Sequence, residues 1–212
     1  YTLWHTLSLH DALPICYDAA PHTNRGKIWH IYYGNWSARL LAADASVTNF
    51  TKWNSTEGGI YMADEDASID WSSLVAIGWK AAGGRADNDD FADLDDQFGL
   101  AAYDESITNL WDADDDGEGD DERNIEVFGN SISGAPFANS TNNTNFKTGV
   151  LWDSSDGGAE YDKTQNVTFV TFVNMTKDCA YTDTCDYEIR IPGTLGQQTG
   201  AGKLVQIYVE VL

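Results

Sequence analysis

Three segments near the C-terminal end alternate apolar and polar side chains with a period of two. In "NVTFVTFVNMT" (166–176) Val167, Phe169, Val173 and Met175 share one face, interrupted by Thr171. In "DYEIRIP" Tyr187, Ile189 and Ile191 alternate with Asp186, Glu188 and Arg190. In "KLVQIYVEVL" Val205, Ile207, Val209 and Val211 alternate with Gln206, Tyr208 and Glu210. A pleated strand points successive side chains to opposite faces, so this pattern predicts antiparallel strands with one face buried. Upstream, "KIWHIYYG" (27–34) is apolar on both faces and reads as a central strand. "WSARLLAA", "VTNFTKW" and "GIYMAD" follow at hairpin-like spacing, and "NIEVFG" and "FKTGVLWD" resume the pattern after residue 124. About nine short strands predict a mainly β fold, an antiparallel β-sandwich.

The middle of the chain changes character. "IDWSSLVAIGWKAA" offers Asp70 as an N-cap before an apolar run. "DDFADLDDQFGLAA" sets Phe91, Leu94, Phe98 and Leu100 near helical spacing, and "ESITNLW" adds a turn or two. The expectation is helix over 70–111, inside an acidic insertion spanning about 65–122. Twenty of the thirty-four acids fall between Asp64 and Glu122, against only Lys80 and Arg85. Adaptation to high salt acidifies every surface, so a local concentration favours cation binding or a solvated acidic insert, with salt adaptation as a contributing cause. The net charge of −22 excludes a nucleic-acid binder, which needs a basic footprint. No apolar run approaches the roughly 18 residues of a membrane span.

The N-terminus needs separate treatment. "TLSLHDALPI" (6–15) reads as the in-frame translation of a common short-read sequencing adaptor, and the residues on either side fit its junctions. Residues 1–16 are therefore set aside as an artefact, and His5, His10, Asp11 and Cys16 carry no role. The expectation is one β-sandwich domain over 17–212, truncated upstream.

Two cysteines then remain, Cys179 and Cys185, in "DCAYTDTC". Their spacing suits a small disulfide loop at a hairpin tip rather than a metal site, which implies an oxidising compartment. Two free thiols are the alternative. Seven Asn-x-Ser/Thr sequons, at Asn35, Asn49, Asn54, Asn139, Asn142, Asn166 and Asn174, point the same way, to an extracellular or cell-surface glycoprotein.

The strongest chemical constellation is "DADDDGEGDDE" (112–122). Asp112, Asp114 and Asp116 occupy positions one, three and five of a calcium-type loop, Gly117 position six and Asp120 position nine. That spacing wraps alternate carboxylates around a hard cation, and the glycine permits the sharp turn. The bidentate acid expected at position twelve is absent: Arg123 stands there and Glu122 lies one place early. Calcium is the cofactor implied, with a solvated acidic loop as the alternative. Asp89, Asp93 and Asp96 can share a helical face, more simply a solvated one. Only His22 and His30 remain as histidines, and no nucleophile, zinc or nucleotide motif appears, so no catalytic residue is assigned. Trp36, Trp53, Trp111 and Trp152 are the aromatics able to stack on sugars, although a sandwich core claims such residues first.

"YYGNWSARLLAAD", "IDWSSLVAIGWKA", "FGLAAYDESITNLWDADDDG", "FKTGVLWDSSD" and "DYEIRIP" resemble segments of uncharacterised secreted cell-surface β-rich proteins from archaeal metagenomes. The resemblance covers most of 28–212 and implies an extracytoplasmic β-rich domain of an archaeal envelope. It supplies no activity. The reading reached from sequence is a non-enzymatic structural or adhesive module of a cell-surface, envelope or filament protein. Its partners would be other envelope or filament subunits, or glycans. The alternatives are a carbohydrate-binding module and a carboxylate-dependent glycosidase, the latter needing two carboxyls about 5–9 Å apart across a cleft.

Overall fold

The computed structural model describes residues 24–25, 28–36, 38–41, 52–64, 67–86, 89–180, 184–195 and 205–212. Residues 1–16, expected above to be adaptor-derived, lie outside them, as do His22 and the sequon at Asn49. Among the described residues, twelve strands run in chain order as β1 (Asn24–Arg25), β2 (Trp29–Gly34), β3 (Ala38–Leu41), β4 (Lys52–Ser55), β5 (Gly58–Asp64), β6 (Leu74–Ala76), β7 (Glu122–Val127), β8 (Asn130–Asn139), β9 (Lys147–Asp153), β10 (Val167–Phe172), β11 (Tyr187–Pro192) and β12 (Val205–Val211). Helices α1 (Asp90–Phe98) and α2 (Ile107–Trp111) lie between β6 and β7. The fold is mainly β and sandwich-like, as the alternating segments led us to expect.

The larger sheet has the order β12-β5-β10-β9-β8-β7, with β6 also paired to β9. A smaller sheet, β1-β2-β11, packs across it, and β3 and β4 pair with each other. Every pairing is antiparallel.

The central strands differ from the half-buried expectation. β5, β9 and β10 are buried on both faces. Ile60, Met62, Val150, Trp152, Val167 and Phe169 point into one core, which they share with Trp29, Ile189 and Ile191 of the smaller sheet and with both helices. Tyr61, Leu151 and Val170 point into a second core on the opposite face, closed by Phe137, Ile125 and Trp71. Threonines survive inside such strands because neighbouring carbonyls take their hydroxyls. Thr171 Oγ1 lies 3.0 Å from both Lys147 O and Glu188 O, bridging the larger sheet to β11. A buried hydroxyl without such acceptors would cost roughly 1–3 kcal/mol.

β12 also departs from expectation. The face of Val205, Ile207, Val209 and Val211 was expected to be the buried one, yet Ile207 is 47 % exposed while Glu210 is only 9 % exposed. Two contacts on the opposite face account for this. Tyr61 donates its hydroxyl to Glu210 at 2.6 Å, and the Tyr208 ring meets Trp71 edge-on at 4.8 Å.

Of the helical expectation over 70–111, only Asp90–Phe98 and Ile107–Trp111 are helical, with turns between them. Asp70 does cap, but it caps a turn: Ser72 N and Oγ and Ser73 Oγ all donate to its carboxylate. Those bonds hold the carboxyl below its usual range. The chain then enters β6, where Leu74 and Ala76 face inward and Val75 partly outward, paired with β9. A run of three residues already satisfied by a sheet edge has no reason to coil. Beyond it, Phe91, Leu94, Phe98, Leu100, Ile107 and Trp111 are buried in the first core. The acidic segment is thus an integral wall of the molecule, with its apolar stripe turned inward.

Candidate metal centre

The acidic loop hangs from α2, so its geometry starts there. α2 has only five residues, too short to persist alone. Asp95, on the buried face of α1, accepts from Ile107 N, from Thr108 N at 3.0 Å and from Thr108 Oγ1 at 2.7 Å. Ser106 Oγ accepts from Asn109 N at 3.2 Å. At the other end Trp111 is fully buried and donates Nε1 to Thr148 O of β9 at 3.0 Å. The helix is therefore fixed at both ends, and the residue after Trp111 inherits a fixed position.

That residue is Asp112, 1 % exposed. Its carboxylate folds the following loop over itself, accepting Asp116 N at 3.1 Å and Gly117 N at 3.0 Å. Gly117 adopts φ +81°, a left-handed conformation that glycine reaches without strain. The loop closes where Asp120 N donates to Trp111 O at 2.8 Å. Gly78 backs it closely: its φ of +83° favours glycine, and a Cβ there would press on Gly117 O at 3.0 Å.

Within this loop Asp112, Asp114 and Asp116 each present a carboxylate oxygen, all within 4.8 Å of one another. Asp112 is buried and the other two are exposed. Burial raises the pKa of Asp112 foremost. The two N–H donors oppose that rise, and the negative charges of Asp116 and Asp115 add to it. Three hard oxygens on a turn with one open side form an arrangement able to hold a metal ion.

The two further expected ligands are not brought into this group. Asp120 Oδ2 accepts from Ala113 N at 3.2 Å. Glu122 is taken by Arg85, whose Nη2 meets Glu122 Oε2 at 2.8 Å and whose Nη1 binds the other oxygen. The guanidinium also lies 4.5 Å above the Trp79 ring and reaches Glu118 at 3.1 Å. A planar fork held on an aromatic face suits a bidentate carboxylate, so Glu122 closes a structural ion pair. Arg123, at the twelfth position, pairs with Asp121 instead.

The second acidic cluster resolves differently. Asp93 and Asp96 grip Lys163 at 2.8 and 2.9 Å and raise its pKa, while Asp89 is exposed. Sequence reasoning passed over the acids that matter inside. Asp90 is 1 % exposed: one oxygen accepts Gly78 N at 2.9 Å, and the other has no hydrogen-bond partner. Asp153 is fully buried, accepting Asp70 N at 2.6 Å and Ser155 N at 2.9 Å. Glu188 accepts Thr141 Oγ1 at 2.7 Å and Ala180 N at 3.1 Å. For Asp95 a signal existed, because it falls four residues after Phe91 on the apolar stripe of α1.

Cys179 and Cys185 form a disulfide, with Cα atoms 5.8 Å apart, closing the short loop between them. Of the sequon asparagines with described side chains, Asn35, Asn139, Asn142 and Asn174 are exposed and Asn166 is half-buried. Trp111 and Trp152 are core residues and Trp36 is half-buried; the side chain of Trp53 lies outside the described ones, and among the tryptophans whose side chains are described none is exposed. His30 is half-buried in β2. No helix among the described residues is long and apolar enough to cross a membrane. No family model, no curated protein and no solved structure matches the chain.

Proposed function

We propose that this chain is a non-enzymatic extracellular module, structural or adhesive, of a cell-surface, envelope or filament protein, and that its acidic loop takes calcium. The observation that carries the calcium reading is the convergence of Asp112, Asp114 and Asp116 on one turn, preset by the hydrogen bonds Asp112 accepts. The disulfide and the exposed sequons support the extracellular setting. The burial or half-burial of every tryptophan with a described side chain disfavours sugar recognition by stacking on them, and the groove beside Phe172 has no carboxylate in its lining, which disfavours a glycosidase there.

With Glu122 engaged by Arg85, the site has no bidentate closing ligand. Affinity should be weak, roughly 10⁻⁴–10⁻³ M, the range of extracellular calcium modules. At ten times the dissociation constant, calcium adds about 1.4 kcal/mol of stability. For a chain of this size that corresponds to a rise in Tm of roughly 3–6 °C. Calorimetry should show this rise with calcium and not with sodium at equal ionic strength, and Asp114→Ala should abolish most of it. The rise should fade at acid pH, because the ligand carboxylates must be ionised. An equal response to sodium, or an unchanged response of the alanine variant, would identify the loop as screened acidic surface.

A further inference from the structure

The described sequons are not equivalent in their surroundings. Beside Asn174 the surface sinks into a groove of about 190 Å³. Phe137, Phe146, Phe172 and Val173 form its apolar part, and Arg123 and Lys147 stand among its polar lining. Among the described sequon asparagines, Asn174 alone lines it. We infer that Asn174 is a modification site whose N-linked sugar lies in this groove, its first ring packed on Phe172.

The local backbone supports this placement. The bond from Val173 N to Gly58 O, 2.9 Å, carries the extended chain of β10 one residue further. Residues two apart on extended backbone face the same side, about 7 Å apart, a span one sugar ring covers. The sequon that follows is pinned at both ends by Asp186: Asn174 N donates to its carbonyl at 2.8 Å, and Thr176 N to its Oδ1 at 2.7 Å. Asn174 Nδ2 carries two hydrogens. One donates to Asn145 O at 3.0 Å, which fixes the amide, and the other is available for substitution. Phe172 is half-buried, so part of its ring faces the groove, while Arg123 covers Phe137 at 5.3 Å. The C–H face of a pyranose matches that exposed ring, and its hydroxyls meet the groove's polar lining. Arg123 and Lys147 are held in place by Asp121, with which both pair.

Attachment needs a glycosyl donor activated as a phosphate ester and a transferase of the secretory route. Nδ2 bonds to the sugar C1, the bond from C1 to the phosphate oxygen breaks with its electron pair leaving on oxygen, and Nδ2 gives one proton to the transferase. The inference rests on the extracellular reading above, and its test separates the two. The chain is secreted from an N-glycosylating eukaryotic host and its sequons are mapped by mass spectrometry. Asn174 should carry sugar. Asn174→Gln should lower Tm by about 2–4 °C, whereas Asn142→Gln, on an exposed residue outside the groove, should leave it unchanged. In a Phe172→Leu background, which keeps the position apolar, the penalty of Asn174→Gln should shrink, and this cycle holds even if that background is itself less stable. Sugar at other sequons but none at Asn174, or an equal Asn174→Gln shift in both backgrounds, would overturn the groove inference alone. Sugar at no sequon would overturn it together with the glycoprotein reading.

Discussion

The buried carboxylates are the residues through which this chain solves its charge imbalance. With thirty-four acids and twelve Lys or Arg, few cations are available to follow an acid inward. Asp95, Asp112, Asp153 and Glu188 are instead held by backbone N–H and hydroxyl donors. Such charge-assisted bonds are strong where the donors have no other partner. Asp90 is the exception, with one oxygen bonded and one bare. Burial, together with the negative charges of Asp89, Glu160 and Asp93 and opposed by the bond from Gly78, pushes its pKa up to about 7. The folded state therefore keeps this proton when the unfolded chain has lost it. The stabilisation is complete below the unfolded value near 3.8 and falls as pH rises toward 7. The total is no more than about 4 kcal/mol. Asp90→Asn keeps the acceptor for Gly78 and removes the charge, so it should stabilise the protein at pH 8 and flatten the decline of Tm between pH 4 and 7. A variant whose pH profile superimposes on the parent would show that Asp90 is ionised throughout.

At the scale of elements, α2 exists because α1 caps it. Removing the Asp95 carboxylate leaves buried donors of Ile107 and Thr108 without an acceptor. Asp95→Ala should cost about 2–3 kcal/mol, read as a shifted denaturation midpoint, and should also reduce the calcium response proposed above, because Asp112 follows directly on α2. Serine at 95 should recover only part of the loss. The strands were largely legible: β2, β10, β11 and β12 fall inside the segments marked by their apolar pattern, and β5 exceeds its segment by one residue. The faces of β10 and β12 were not, because one chain's alternation does not reveal a second core on the polar side. Thr171 looked like an interruption until Lys147 and Glu188 supplied its acceptors. The stretch 70–86 misled because Asp70 followed by Ser72 and Ser73 caps a turn as readily as a helix. For the metal loop, spacing alone found Asp112, Asp114 and Asp116. It could not exclude Glu122, whose fate depends on Arg85, thirty-seven residues earlier in the chain.

Across the whole molecule, both sheets are completed late. β2 pairs with β11, so Trp29 lies opposite Pro192, and β5 pairs with β12, where Tyr61 bonds Glu210 across 149 residues. Until β12 arrives, β5 is an unpaired edge, and all but the last of its residues are buried in the finished fold. An exposed apolar edge of this kind recruits other chains. Ending the chain at Lys203 should therefore give aggregated rather than merely destabilised material, visible by light scattering, whereas substituting the exposed Ile207 by threonine should scatter no more light than the parent. During synthesis the same architecture imposes an order of events. A ribosome adding about 5–20 residues per second leaves the β12-facing edge of β5 uncovered for on the order of ten seconds. Pairing at such sequence separation is slow even once the partner is present. On the extracellular reading proposed above, a chain exported as it is made would cross the membrane with neither sheet closed, and would meet calcium, oxidant and glycosyl donor before its last strand locks the sandwich.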